Sequence, residues 1–334
     1  MDISQIEIRQ LEAFTAVMSA GSITGAARLT GRSQPAVTRL IQELETALGF
    51  SLLRRSGPRI SPTAQGVRFH QEAERALVSL QQMCAHAAAI AGDTPSPIGI
   101  AAIPALAAGL VPAALARLGD ALPGEVHLQS HPADEAVRAV LARRADIALA
   151  SLPVDHPELE THWIAEAPCV VALPASDPLA AVPIVPLRAL SGRRLVIMAN
   201  PFRLRRRIEQ ALERLGLSPP ALLVTNTSFN ALAAARAGLG AAIVEPVTAY
   251  GVPMEGVAVR PLDLAIPFLW AVVTPLAQPL SPAVERLIAA LGETATAILP
   301  GFRRRDPADR DAIAAAVYGA EPADPRRAPA EAGP

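Results

Sequence analysis

Residues 22–49 read SITGAARLTGRSQPAVTRLIQELETALG. Two helical runs meet at a tight Gly31-Arg32 step, and the second opens on Ser33-Gln34-Pro35 with few apolar residues in its first turn. Leu11, Phe14, Ala16 and Val17, then Ala26, Ala27 and Leu29, are spaced as the inner faces of two short helices. Ser22 is placed to cap the second of these. Ser33 is placed to cap a third helix, where Pro35 falls early enough that its missing N–H costs little. Val37, Leu40, Ile41, Leu44 and Leu48 form the buried stripe of that helix. Ser33, Gln34, Thr38, Arg39 and Gln42 therefore face outward near its start. A helix entering the DNA major groove end-on needs this division, with hydrogen-bonding groups on its first turns and apolar residues behind. Gln can pair with adenine, Arg with guanine, and Ser or Thr hydroxyls reach either a base or a phosphate.

The following LLRRSGPRISPT supplies Arg54 and Arg55, a Gly-Pro turn and Arg59, the parts of a hairpin wing that rests on phosphates. Residues 1–68 hold eight arginines against five acidic residues, whereas the 334-residue chain has a net charge of −1. Any one of these arginines alone reads as a solvated face. Their clustering with the outward-facing helix start makes a nucleic-acid surface.

The run LEAFTAVMSAGSITGAARLTGRSQPAVTRLIQELETALGFSLLRRSGPRISPTAQG resembles the winged helix-turn-helix of the LysR-type transcriptional regulators. The matching elements are the Phe14 helix, the Gly21–Leu29 run, SQPAVTRxIxxLE, the Leu48-Gly49 step, LLRR and SPTxxG, together covering nearly all of residues 8–66. Three positions depart from the family pattern: Thr30-Gly31-Arg32 replaces a hydrophobic turn, Leu53 a common phenylalanine, and Ser61-Pro62 a common leucine before the threonine. The resemblance implies a regulator that binds double-stranded DNA at an interrupted palindrome as a dimer or tetramer, with RNA polymerase as a further potential partner. Less specifically, FTAVMSAGSITGAA and QPAVTRLI resemble regulators of opine and amino-acid catabolism.

The winged domain is expected over residues 1–62. Residues 63–92 read as one linker helix, with small and apolar residues at 73, 77, 80, 84, 87 and 91 spaced as a coiled-coil seam for dimerisation. The competing reading packs this helix on its own domain. GDTPSP at 92–97 breaks it. From Ile98 to Leu299, apolar runs (IGIAAI, VHLQS, DIALA, CVVAL, RLVIM, LLVT, AAIV, FLWAVV) alternate with helical stretches, which points to an α/β domain with parallel sheets. The resemblance extends here to the family's effector domain, similar to periplasmic binding proteins. It implies a domain at 93–300 crossed twice by the chain: subdomain I at 97–172 and 276–300, subdomain II at 173–275. Residues 301–334, rich in Ala, Pro and balanced charge, read as a disordered tail with a short helix open at 307–318.

In such a fold the effector lies between the subdomains, against helix N-termini that follow strands and favour a carboxylate. The junctions readable here are Pro104-Ala105, then Asn200 with Phe202 and Arg203, then Thr227, Ser228 and Phe229. Ser130, Ser151 and Glu245-Pro246, at other strand ends, complete the wall. The family often carries a hydroxyl where Pro104-Ala105 has none. Arg203 is placed as the cleft cation, Arg205 to Arg207 as a solvated face and His131 as a surface histidine.

No GxSxG, HExxH, GxxxxGK or Cys/His cluster is present, so nothing supports an enzyme. No cofactor is expected beyond a small-molecule effector. Cys84 and Cys169 sit in apolar contexts and read as buried free thiols. No signal-like start and no apolar run of about 18 residues is visible, giving the expectation of a cytoplasmic protein without a membrane partner. A solute-binding protein shares the effector fold, but the N-terminal motif in the same chain separates the two readings.

Overall fold

The computed structural model describes residues 6–56, 59–92, 96–154, 156–200, 203–276, 279–309, 313 and 317, and the side chains of 55, 56, 59, 82, 86, 89 and 90 fall outside that description. The chain forms two compact units, residues 1–94 and 95–334.

The first unit is built on three helices, α1 (Ile8–Ala20), α2 (Ile23–Thr30) and α3 (Gln34–Leu48). Ser22 accepts from the Gly25 N–H at 3.0 Å and Ser33 from that of Ala36 at 3.3 Å, so both expected caps form. Ala13, Val17, Ala26, Val37, Leu40 and Ile41 close one core cluster, and Leu11, Phe14, Leu44, Leu48 and Leu52 a second. Leu29 is not part of either: it is 67% exposed, because Ile23, Ala26 and Ala27 already make the inner face of α2.

Strands β1 (Leu53–Ser56) and β2 (Arg59–Pro62) pair antiparallel as the wing. The Glu45 carboxylate, on α3, accepts from the backbone N–H groups of Leu52 (2.6 Å) and Leu53 (3.0 Å), fixing the wing to the preceding helix. Helix α4 (Ala64–Gly92) begins on Thr63, whose hydroxyl donates to the Ser51 carbonyl at 2.8 Å and accepts from the Gly66 N–H at 2.8 Å. Phe69, Ala73 and Leu77 then pack on the cluster of Leu11, Phe14 and Leu44. The first positions of the expected seam thus serve their own unit. Further along, Val78 and Met83 are exposed, and so is Cys84, contrary to the buried thiol expected there. It lies past the point where α4 has its own domain to pack on.

The second unit holds two sheets. One has the order β13-β6-β12-β5-β3-β4: β3 (Ile98–Ala102), β4 (Val126–Ser130), β5 (Ile147–Ser151), β6 (Leu159–Pro168), β12 (Pro267–Pro275) and β13 (Arg303–Arg305). The other has the order β11-β7-β10-β8-β9: β7 (Val170–Pro174), β8 (Leu195–Met198), β9 (Leu222–Thr225), β10 (Ala241–Val244) and β11 (Val257–Pro261). The sheets are mixed rather than parallel. β3, β4 and β5 run parallel, as do β8, β9 and β10, but β6, β7 and β12 pair antiparallel with their neighbours. These are the strands that carry the chain between the sheets.

The outward crossing falls at Cys169, close to the expected 172. The return falls at residues 262–266, not near 275, so 267–275 belongs to the first sheet. FLWAVV is the reason: its run is buried on both faces as the central strand between β5 and β6. Residues 301–309 are not the tail expected there. Phe302 packs edge-on against Trp163 (6.5 Å) and tilted over Trp270 (6.0 Å), and β13 follows it onto β6. Ile313 and Val317 are helical and pack on the same sheet; residues 318–334 lie outside the described residues.

Candidate functional site

Two faces answer to the sequence reading. On the first unit, Ser33, Gln34, Pro35, Arg39 and Gln42 are exposed and Thr38 half-buried, while Val37, Leu40, Ile41 and Leu44 fill the core behind them. Arg39 pairs with Glu43 one turn on, at 3.2 Å, and stays 71% exposed. Such an ion pair is worth little and leaves the guanidinium available. Arg54 is exposed on β1. Arg55 and Arg59 stand on the wing strands, but their side chains lie outside the described residues.

The second face is a cavity of about 330 Å³ in the α/β unit, between the C-terminal ends of strands from both sheets. Pro104, Ala105, Ser130, Ser151, Asn200, Arg203, Thr227, Ser228 and Glu245 all line it. The parallel strands explain this convergence, since each βα turn delivers its helix start to the same edge of the sheet. Helix α5 (Pro104–Gly109) follows β3 and leads into α6 (Val111–Ala116), α7 (Ala133–Leu141) follows β4, α8 (Leu204–Arg214) follows β8, α9 (Ser228–Arg236) follows β9 and α10 (Pro246–Gly251) follows β10. Phe229 is not in the wall: it is 53% exposed, on the outer side of the first turn of α9. Phe202 lies outside the described residues. His131, expected at the surface, is in the wall with its ring near Glu135 (3.6 Å). Asp134, Met198, Asn226 and Phe268 were not singled out from the sequence. Asn226 and Asp134 were within reach, standing one and four residues past the strand ends Thr225 and Ser130.

Arg203 is not a cation waiting for an anion. Its guanidinium donates to Asp134 Oδ1 at 2.6 Å, to the Pro153 carbonyl at 3.3 Å and to the Ser151 carbonyl. It therefore ties the start of α8 to groups of the other subdomain. One turn on, Arg207 is buried (7% exposed), and its Nε has no hydrogen-bond partner. Burial lowers its pKa. It belongs to the buried stripe Leu204, Arg207, Ile208 and Ala211, so the solvated face expected for it is corrected. Arg205, by contrast, pairs with Glu209 at 2.7 Å.

Donors on the opposite wall differ in their freedom. Thr227 caps α9, accepting from the Asn230 N–H at 3.2 Å, which leaves its hydroxyl proton for a ligand. The Ser228 hydroxyl donates to Met198 Sδ, 3.7 Å away, and stands close enough to the Glu245 carboxyl to pull its pKa down. Glu245 is 2% exposed and caps α10, accepting from the Thr248 N–H at 2.9 Å and from the Thr248 hydroxyl. Burial pushes its carboxyl up to about 7, against the opposing pull of those hydrogen bonds. Burial likewise pushes the Cys169 thiol far up, so that residue is an inert thiol at the hinge.

Residues 8–67 match the model of the bacterial regulatory helix-turn-helix protein, lysR family, and residues 92–296 match that of the LysR substrate binding domain. The chain belongs to the LysR family of transcriptional regulators. This regulator is 33% identical over 263 residues to the octopine catabolism/uptake operon regulatory protein OccR of Rhizobium meliloti, spanning 78% of this chain and 86% of that one. It is 30% identical to the regulatory protein NocR of Agrobacterium fabrum, over 86% of this chain and 96% of its relative. Among solved structures, the LysR family regulator CbnR superposes with a TM-score of 0.74 at 24% identity, covering 86% of this chain and 99% of that one, a likeness of fold. The regulator is not an enzyme, and among its described residues no helix is long and apolar enough to cross a membrane.

Proposed function

We propose that this regulator acts in the cytoplasm, binding an interrupted palindrome in double-stranded DNA through Ser33, Gln34, Thr38, Arg39, Gln42 and the wing arginines. A small effector, a carboxylate or amino acid, controls it from the cleft. The observation that carries this reading is one chain joining a polar-faced recognition helix to a 330 Å³ cleft walled by hydroxyls and helix starts. Helix N-termini favour an anion by roughly 0.3–1 kcal/mol each, more in a partly buried cleft. An effector that binds one arrangement of the subdomains better than another shifts the population toward it. The relative named for octopine catabolism and uptake supports an effector of amino-acid type.

Thr227 is the residue to change. Thr227→Val removes both the α9 cap and the free hydroxyl proton, whereas Thr227→Ser keeps both. In gel-shift titrations of the full chain on its own promoter region, small carboxylates and amino acids should alter binding by the wild type and the Ser variant, and not by the Val variant. A response only to neutral apolar compounds, or a full response in Thr227→Val, would place the chemistry elsewhere.

A further inference from the structure

Among the described residues, Glu245 is the charged group on the cleft wall that has no partner of opposite charge. It stands at the end of β10, 2% exposed, and the groups that donate to it or stand against it are neutral: the N–H and hydroxyl of Thr248, and the hydroxyl of Ser228. Among the described residues no arginine or histidine pairs with it, and Arg203, the cation that lines the cavity, is committed to Asp134 and to backbone carbonyls. Capping does not explain a glutamate here. Ser22, Ser33, Thr227 and Ser281 cap four other helices of this chain with neutral hydroxyls, and the glutamate that starts α1, Glu7, stands in solvent with Arg9 as its counter-ion. A carboxylate buried without a counter-ion is expensive, and a neutral cap would avoid that cost. A cation arriving from the cleft would answer the charge.

We propose that the effector carries a protonated amino or guanidinium nitrogen that docks against Glu245, with its carboxylate at the other wall, on the Thr227 hydroxyl and the first turn of α9. This rests on the cleft being the effector site. It divides the wall into two ends of opposite preference. Ser228 drops out as a carboxylate donor, because its hydroxyl is turned to Met198 and the charge of Glu245 beside it repels a second carboxylate. Amine-free acids lack the group that Glu245 selects, and amines without a carboxylate lack the anchor at α9. The effector is therefore zwitterionic. The free carboxyl sits near 7, so docking a cation ionises it and expels a proton. The other titratable or charged groups around this wall are His131, Asp134 and Arg203 in the cleft, and Cys169 behind Glu245 with Arg207 next to Cys169.

Calorimetry on the full chain tests this. The probes are L-arginine, L-lysine, L-glutamate and octopine, set against valerate, hexanoate and glutarate, which carry no nitrogen. At least one amino compound should bind tenfold or more tightly than its amine-free counterpart. Glu245→Gln, which keeps an oxygen for the cap, should erase that difference. Near pH 6.5 the wild type should release protons on binding, read from buffers of different ionisation enthalpy, and the variant should not. Should the variant fail to fold, the wild-type preference and proton release still decide. Equal or tighter binding of the amine-free acids, or binding of an amino compound without proton release, overturns the inference and leaves a carboxylate effector standing. Binding by neither set overturns both.

Discussion

Gln34 and Arg54 both face solvent, yet their loss should read differently. Gln34 stands at the start of the recognition helix, where it can pair with a base edge. Gln34→Ala should cost about 1–3 kcal/mol on the operator and little on random DNA. Arg54 stands on the wing, so Arg54→Ala should weaken all sequences alike and lower the slope of log affinity against log salt by about 1. Gel-shift titrations on operator and scrambled duplexes at two salt concentrations separate the two; equal losses on both duplexes for Gln34→Ala would refute the docking. Glu245 makes a stability prediction of its own. Its folded pKa, about 7, lies above its ordinary 4.5, so the native state holds a proton that the unfolded chain has released. Stability from this group therefore falls as pH rises between these values, by roughly 3 kcal/mol in all, and is flat above. Glu245→Gln should flatten that part of the thermal-melt profile and melt higher than the wild type at pH 8. These residues were legible as strand-end polar groups; their partners were not, because a sequence does not show that Arg203 is spent or that Arg207 falls on a buried stripe.

At the scale of elements, the short-range signals carried most. Ser22, Ser33, Gly31 and the apolar stripe of α3 specify three helices locally, and the wing follows from Arg54, Arg55 and Arg59 on either side of a Gly-Pro pair. The SPTxxG motif has a physical reading too. Thr63 starts α4, and Gly66 lets that helix approach the wing so closely that an added Cβ would lie 2.1 Å from the Leu52 carbonyl oxygen. Gly66→Ala should therefore push α4 off the wing and cost roughly 1–3 kcal/mol. A denaturant midpoint unchanged from the wild type would show that the helix start can yield. The strands β6 and β11 were missed. LETHWIAEAP interleaves Glu160, Thr161, His162 and Glu166 with its apolar residues, and half-buried VAVRP is only five residues long. Neither shows the continuous apolar run by which the buried strands were recognised. FLWAVV was recognised as a strand but assigned to the wrong subdomain, since which sheet a strand joins is settled by pairings more than a hundred residues apart.

The whole molecule must bring two recognition helices to one operator, and α4 is the element long enough to do so. Its 29 residues span about 44 Å at the usual rise of an α-helix. Its faces divide along its length. Ala73 and Leu77 are used up inside the winged domain, so charging Leu77 would unfold that domain rather than report on assembly. Val78 and Met83 are exposed, at 37% and 59%, on the part of the helix that leaves the domain behind. Apolar side chains there are expected to meet the same helix of a second copy, in an isologous contact that repeats each residue across a two-fold axis. Val78→Glu with Met83→Glu places four carboxylates in that contact, two from each copy. Sedimentation should then show smaller species than the wild type forms, with the thermal midpoint of the winged domain unchanged. Affinity for the full palindrome should fall toward that for a single half-site, because the second recognition helix no longer arrives tethered to the first. A double variant that still assembles and protects both half-sites would mean that contacts of the α/β unit alone hold the assembly, and that the exposed stretch of α4 serves something else.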